Sequence, residues 1–139
     1  MPRDPDATWS DADNSAATPT LPVPDRYQDA GPIALGGMAE IRRVWDNRFG
    51  FHAAMKLLRE ELVSNGHARG RFDMEASLTA RMQHPGIVAV YDRGETEAGR
   101  PWFTMTEVRG QTLDAIITQA HAEGLTDESL RRLVGLLLR

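Results

Sequence analysis

The most constraining feature of this sequence is its one lysine, Lys56, which lies in a largely apolar segment. Of the 16 basic residues, 15 are arginine. The segment 51–59 reads FHAAMKLLR, and the apolar residues around Lys56 predict a strand that is mostly buried. An ammonium group in such a strand is costly unless a carboxylate pairs with it. The fold must therefore bring an acidic side chain to Lys56 from another element.

A helical pattern over residues 69–83 offers that carboxylate. Its apolar or small residues recur at helical spacing, at Phe72, Ala76, Thr79 and Met82. The sequence His84-Pro85-Gly86 then ends the helix. Glu75 lies on the inward face of this helix. Taken alone, Glu75 is more simply an exposed helix acid, but with Lys56 present we expect the two to form an ion pair.

Short segments on both sides of this helix predict five strands. Residues 27–35 and 38–46, around Gly36-Gly37, and residues 51–59 predict an antiparallel meander. Residues 87–91 and 102–108 predict two more strands, joined by the polar loop 94–100. This order indicates an α+β fold with one long helix inserted between strands 3 and 4.

Two further helices are predicted after Gly110. The first carries Leu113, Ile116, Ile117 and Ala120 on one face and ends at Gly124. Thr126 caps the second, which has an apolar stripe formed by Leu130, Leu133, Val134, Leu137 and Leu138. Because no later segment can cover this stripe, we expect a domain that is cut short.

The first 25 residues differ in composition from the rest of the chain. They hold five of the eight prolines and five aspartates against one arginine, which predicts a disordered tail. The remaining residues carry equal numbers of acidic and basic side chains, so nothing favours nucleic acid as a partner. The sequence has no cysteine, and it has no membrane segment or secretory signal. We therefore expect a cytoplasmic protein.

Four ordered motifs resemble the small lobe of bacterial serine/threonine kinases of the eukaryotic (Hanks) type. They read IALGGMAEI at 33–41, AAMK at 53–56, RFDMEASLTARMQHPGIVAVYD at 71–92 and FTMTEV at 103–108. The resemblance implies a five-stranded antiparallel sheet followed by two helices of a truncated large lobe. The domains it implies are the tail 1–25, an ATP-binding lobe 26–109 and the start of the large lobe 110–139.

The resemblance also implies an ATP site. The glycine-rich loop that covers the phosphates would comprise Ile33, Ala34, Leu35, Gly36, Gly37, Met38, Ala39, Glu40 and Ile41. The family's three glycine positions fall on Ala34, Gly36 and Ala39, so only the middle glycine is present. Seen alone, this segment is more simply an ordinary Gly-Gly hairpin turn.

The other site residues are assigned by the same resemblance. Lys56 would contact the α- and β-phosphates, with Glu75 as its helix partner. Met105 would be the gatekeeper behind the adenine, and the carbonyl of Thr106 and the N–H of Val108 would bond the adenine edge. Ile33, Ile41 and Ala54 would form the apolar walls.

The catalytic motifs of the family do not occur in this sequence. Neither the His-Arg-Asp loop nor the Asp-Phe-Gly motif is present in the 139 residues, and the Mg²⁺ ligands of the family lie in those motifs. No metal site is expected from the four histidines, which lack ligand spacing.

Three interpretations follow from the sequence. The first is the ATP-binding portion of a kinase that uses ATP and Mg²⁺ to phosphorylate serine or threonine in a protein substrate, with a kinase dimer as a further partner. The second is a non-catalytic nucleotide-binding or regulatory module. The third is an unrelated α+β interaction domain.

Overall fold

The computed structural model describes residues 23–124 and 126–137, which form two units divided between Glu107 and Val108. The first unit contains the strands β1 Tyr27–Leu35, β2 Ala39–Asp46, β3 Phe51–Leu58, β4 Val90–Glu95 and β5 Pro101–Met105. It also contains the 3-10 turn Glu60–Leu62 and the helix α1 Gly66–Arg81, between β3 and β4. The second unit contains α2 Leu113–Ala122 and α3 Asp127–Leu137. The predicted α+β fold is confirmed.

All strands of the sheet are antiparallel and lie in the order β1-β2-β3-β5-β4. Because side chains alternate along a strand, the register divides the sheet into two faces. The face that α1 covers, called here the helix face, includes Lys56, Leu58 and Phe103. The opposite face, called the outer face, includes Met55 and Trp102.

Each face carries its own core. On the helix face, buried residues of α1 pack against the sheet in a cluster of Ala39, Leu58, Ala68, Phe72, Ala76 and Phe103. The rings of Phe72 and Phe103 lie 5.3 Å apart. The outer-face cluster comprises Tyr27, Val44, Ala53, Met55, Leu57 and Trp102. Each large side chain buried in this way contributes about 1.5–3 kcal/mol to stability.

The outer face is closed by polar contacts between the two edge strands. Arg26, directly before β1, pairs with Asp46 at 2.7 Å and with Asp92 of β4 at 2.9 Å. The Tyr27 hydroxyl lies 3.3 Å from Asp92. In a flat sheet, four strand spacings of about 4.8 Å would keep the edges about 19 Å apart. The sheet is therefore strongly curled around its outer-face core.

The long helix begins three residues earlier than the sequence pattern predicts. The Asn65 side chain accepts hydrogen bonds from the amides of His67 and Ala68 at 3.1 and 3.0 Å. This capping satisfies two amides that would otherwise lack partners at the first turn. The pattern failed here because Gly66 and Gly70 are weak helix formers.

The last two strands also differ from their predicted ranges. The apolar residues 87–89 precede β4, and the strand instead runs through Asp92 to Glu95. The charge of Asp92 within this strand is neutralised by its ion pair with Arg26. β5 ends at Met105 rather than at residue 108, since the Thr106 amide bonds the Ala89 carbonyl at 2.9 Å outside the ladder.

Parts of the predicted tail and of the last helix lie outside the described residues. Residues 1–22 are not described, whereas Val23 is partly buried and packs against the outer-face core. The folded part thus begins before residue 26. In α3, Leu130 and Val134 are exposed, and the other members of the predicted stripe are outside the described side chains. Gly124, at a φ of 81°, follows α2 as predicted. No helix within the described ranges is long and apolar enough to cross a membrane.

Gly94 provides a test of the outer-face packing. A Cβ at this position would lie 2.8 Å from Trp102 Cζ2, and the Trp102 ring is buried. Gly94→Ala should lower the free energy of unfolding by about 1–3 kcal/mol, as overpacking does. The matched control is Gly70→Ala in α1, where a Cβ meets nothing within 4 Å. It should raise stability by about 0.5–1 kcal/mol, and urea unfolding measures both. Equal effects of the two substitutions would contradict the packing described.

The ionisation of Asp46 makes the stability of the fold depend on pH. Its hydrogen bond with Arg26 lowers the pKa of the Asp46 carboxyl below its usual value, helped by the amides of Arg48 and Phe49. In the unfolded chain the pKa of Asp46 is near 3.8, and in the folded protein it is lower. The ionised carboxylate therefore stabilises the folded state at pH values above 3.8, and this stabilisation is lost as the pH falls through the pKa of the folded state.

Asp46→Asn should therefore lower the thermal midpoint at pH 7 and flatten its dependence on pH between about 5 and 2. The amide oxygen can still accept from Arg48 and Phe49, so the turn itself is retained. Thermal unfolding followed by circular dichroism measures the effect. If the thermal midpoint of the variant depended on pH as steeply as that of the unaltered chain, Asp46 would not be a source of the pH dependence.

Candidate functional site

The site is organised around one row of side chains that crosses the sheet on its helix face. Ile41 of β2 pairs in register with Lys56 of β3, and Lys56 pairs with Phe103 of β5. Ala34 of β1 extends the row, since it is the register partner of Ile41. The strands therefore hold part of the predicted glycine-rich loop segment and the lysine on the same face.

Lys56 forms the predicted ion pair with Glu75. The Lys56 ammonium donates to the Glu75 carboxylate and lies 5.9 Å from the centre of the Phe103 ring. Glu75 reaches the lysine because Phe72 and Ala76, on the same side of α1, are buried against the sheet. The pairing is confirmed, and α1 and β3 are joined by it. The pair is not deeply buried, as 42% of the Glu75 side chain is exposed.

The loop between β1 and β2 is a tight and exposed turn. The Gly36 amide donates to the Ala39 carbonyl at 2.9 Å, and a Cβ on Gly36 would lie 3.3 Å from that same oxygen. Gly37 has open space around it and Met38 is half-buried against the helix-face core. The backbone of residues 36–37 is thus accessible to a ligand, and a larger residue at position 36 would crowd the turn.

Two residues of the predicted loop do not face Lys56. Leu35 and Glu40 are register partners on the outer face, and Leu35 is 74% exposed. The Glu40 carboxylate instead pairs with Arg100 at 2.5 Å. Their assignment to the glycine-rich loop stays a prediction. Strand alternation turns them away from the lysine, so only their backbone can belong to a site with it.

The residues predicted to bind adenine lie on β1, β2 and β3, at the end of β5 and directly after it. Met105 is the register partner of Ala54 and packs against the helix-face core. The Thr106 amide donates a hydrogen bond to the Ala89 carbonyl. The Thr106 hydroxyl lies 3.0 Å from the Tyr91 hydroxyl. Ile33 is 45% exposed. Val108 begins the second unit, and its role stays a prediction.

Sequence reasoning missed the arginine contacts that surround these residues. Arg43 of β2 pairs with the half-buried Glu107 that follows β5, and Arg100 is buried beneath the start of β2. With 15 arginines in the sequence, none of them stands out as Lys56 does. The only available signal was the position of Arg100 in a loop predicted to be polar.

Comparisons with known proteins agree with this geometry. A scan against models of known protein families finds no match. The chain is 39% identical over 111 residues to the probable serine/threonine-protein kinase PknB of Bifidobacterium longum, covering 74% of this chain and 16% of that protein. It is 38% identical over 96 residues to the serine/threonine-protein kinase PknA of Mycobacterium tuberculosis, covering 66% and 22%. The chain is homologous to the N-terminal part of bacterial Hanks-type serine/threonine kinases.

Solved structures support the same kinship. A crystal structure of the PknI kinase domain of Mycobacterium tuberculosis matches with a TM-score of 0.55 and 28% identity, covering 68% of this chain and 39% of that one. The five-stranded sheet with its inserted helix is thus a kinase small lobe. Because the chain spans only 16% of the length of the PknB relative, the activity, substrates and partners of a whole kinase are proposals for this chain.

The partial exposure of the Lys56–Glu75 pair limits its contribution to stability. In a double-mutant cycle with Lys56→Met and Glu75→Gln, we expect a coupling energy below about 1 kcal/mol, the range of exposed ion pairs. The control cycle uses Arg42→Met and Asp29→Asn, whose side chains are 7% and 3% exposed. Breaking such a buried pair costs about 3–5 kcal/mol. Urea unfolding of the variants would contradict this view if the lysine pair showed the larger coupling.

Proposed function

We propose that this chain is the ATP-binding portion of a protein serine/threonine kinase. The observation that carries the proposal is the anchored lysine: Glu75 of α1 holds the Lys56 ammonium on the face that it shares with Ala34 and Ile41. An ammonium held in this way provides fixed positive charge for the phosphates of a nucleotide bound beneath the loop. The alternative of an unrelated interaction domain gives no reason for this arrangement.

The loop fits a phosphate group through its backbone. Residues 36 and 37 are exposed glycines without side chains to block an approaching oxygen. Since the Gly36 amide is already bound to Ala39, the amides that donate to phosphate would begin at Gly37. Because positions 34 and 39 are alanine, their methyl groups reduce the length of backbone that a phosphate can approach. Most of the accessible backbone therefore belongs to Gly36 and Gly37.

The adenine would lie against apolar side chains of the strands. Ile41 and Ala54 would form its walls and Met105 the back of the pocket, all on the helix face. The Thr106 amide is occupied, which leaves its carbonyl for the adenine amino group. The second adenine contact, from the Val108 amide, is carried over from the family resemblance alone.

The chain's own residues would bind and orient ATP without transferring its phosphate. Bound Mg²⁺ would neutralise the phosphates and ATP would supply the phosphoryl group. The family's catalytic base and Mg²⁺ ligands belong to motifs that this sequence does not contain. Within the described residues, no three histidine, aspartate or glutamate side chains cluster as a metal site would require. We therefore expect nucleotide binding without phosphorylation by this polypeptide.

The second candidate function is a non-catalytic nucleotide-binding or regulatory module. Both functions place ATP against Lys56. They differ in whether this lobe works together with a segment that contains the catalytic motifs. A serine- or threonine-containing protein substrate, a kinase dimer and a cytoplasmic location belong to the first function. They rest on the resemblance to kinases.

The single lysine makes a direct test possible. An acyl phosphate of ATP, in which a carboxylic acid is joined to the terminal phosphate, transfers its acyl group to a nearby amine and releases ATP. We expect rapid acylation of Lys56 that excess ATP suppresses, located by mass spectrometry. With one lysine in the sequence, the other reactive amine is the N-terminus, which serves as an internal standard. A parallel assay with radiolabelled ATP and a generic protein substrate should show no phosphate transfer.

The controls separate binding from simple reactivity. Acetyl phosphate, which carries no nucleotide, should show no preference for Lys56 over the N-terminus. The proposal would be wrong if the ATP reagent labelled both amines equally and ATP gave no protection. Phosphate transfer by the purified chain would contradict the assignment of a binding portion without catalysis.

A further inference from the structure

The region behind the glycine-rich loop, on the outer face of the sheet, contains a buried arginine. Arg100 lies in the connection between β4 and β5 and is 5% exposed. Its Nε donates to the Leu58 carbonyl at 3.0 Å, and its Nη2 donates to Glu40 at 2.5 Å. A buried guanidinium is tolerated only when its donors have such partners. The arginine thus joins the β4–β5 connection to the beginning of β2 and the end of β3.

The Leu58 carbonyl belongs to the same peptide group as the Arg59 amide. This amide donates to the Met38 carbonyl, in the loop itself, at 3.0 Å. The Arg59 side chain also reaches the Gly36 carbonyl, at 3.4 Å. Because a peptide group is planar, a bond that holds the carbonyl of Leu58 also orients the amide that holds Met38. Polarisation through the shared peptide strengthens both bonds.

Glu40 gives Arg100 a second connection to the loop. It is the register partner of Leu35, so the pair Leu35 and Glu40 closes the turn that contains residues 36–39. Arg100 therefore holds the turn from two sides, through the Glu40 side chain and through the Leu58–Arg59 peptide. None of these contacts lies on the helix face, where Lys56 and Glu75 pair.

We propose that Arg100 is a positioning residue for the glycine-rich loop. It acts from the outer face, through Glu40 and through the peptide between Leu58 and Arg59. It holds the loop in one conformation before a nucleotide binds. A loop that is already ordered loses less conformational entropy on binding, so Arg100 increases nucleotide affinity without touching the nucleotide. This consequence rests on the proposed function, whereas the positioning of the loop does not.

The experiment compares three variants of the full chain. Arg100→Met removes both contacts, and Glu40→Gln removes only the charged partner while it keeps the size of a half-buried side chain. The matched control is Arg69→Met. Arg69 bonds the Gly99 carbonyl at 2.8 Å and pairs with Glu95, so it contacts the same β4–β5 connection but not the loop.

Two measurements are made on each variant. Hydrogen exchange at the Gly36 and Arg59 amides reports the order of the loop without any nucleotide. Acylation of Lys56 by the ATP acyl phosphate gives a half-saturating concentration and a maximal rate. For Arg100→Met and Glu40→Gln we expect faster exchange at both amides and a half-saturating concentration raised about tenfold, the equivalent of one charge-assisted hydrogen bond. The maximal rate should not change, since the Lys56–Glu75 pair is intact.

The control and the milder variant decide the outcome. Arg69→Met leaves both side-chain contacts of Arg100 in place and should change the two measurements far less than Arg100→Met. Unchanged exchange at the Arg59 amide in folded Glu40→Gln and Arg100→Met would overturn the proposal, as would an equal effect of Arg69→Met. If Arg100→Met does not fold, Glu40→Gln alone decides. Faster exchange with an unaltered half-saturating concentration would overturn the link to affinity. If Lys56 of the unaltered chain shows no ATP-protected acylation, the proposed function fails and exchange alone tests the positioning.

Discussion

The curl of the sheet depends on the contact between its two edge strands. Arg26 bonds Asp46 and Asp92, and the Tyr27 hydroxyl lies beside the same Asp92. With these groups joined, the outer face encloses Trp102 and its neighbours, and the helix face is left open to α1. Arg100, directly before β5, reaches across the end of β3 to Glu40 at the beginning of β2. Within the curled sheet, strand register places Lys56 between Ile41 and Phe103 and closes the loop with Leu35 and Glu40.

The ion pairs on the two faces of the sheet differ in exposure. On the helix face, the ion pair of Lys56 and Glu75 is partly exposed, and we expect it to contribute little to stability. On the outer face, Arg100 and Arg42 are buried with their partners and join strands to one another. Strand alternation produces this division, because neighbouring residues such as Glu40 and Ile41 point to opposite faces. One short strand thus places Ile41 beside Lys56 on one face and Glu40 beside Arg100 on the other.

Homology to bacterial kinases explains why the motifs occur in this order, and the geometry shows which physical parts the chain supplies. It supplies a lysine with its partner and an exposed turn of two glycines. Departures from the family pattern flank this turn, since position 34 in β1 and position 39 at the start of β2 are alanine. A turn with fewer glycines has less backbone open to phosphate but is stiffer, which suits a loop that is held in place by neighbouring arginines.

The sequence alone determined the lysine pair and the order of the elements. A single lysine in an apolar strand and one glutamate on the inward face of the long helix pointed to this pair, because a lysine in a largely buried strand needs a carboxylate partner. Local patterns also placed β1, β2 and the two C-terminal helices. Only the tertiary structure decided the course of β4 and the side-chain positions of Glu40 and Arg100. A strand as polar as β4 is stable only once Arg26 lies beside Asp92, and any of 15 arginines could have paired with Glu40. Such long-range choices depend on how the sheet curls, and periodicity along the chain carries no information about that.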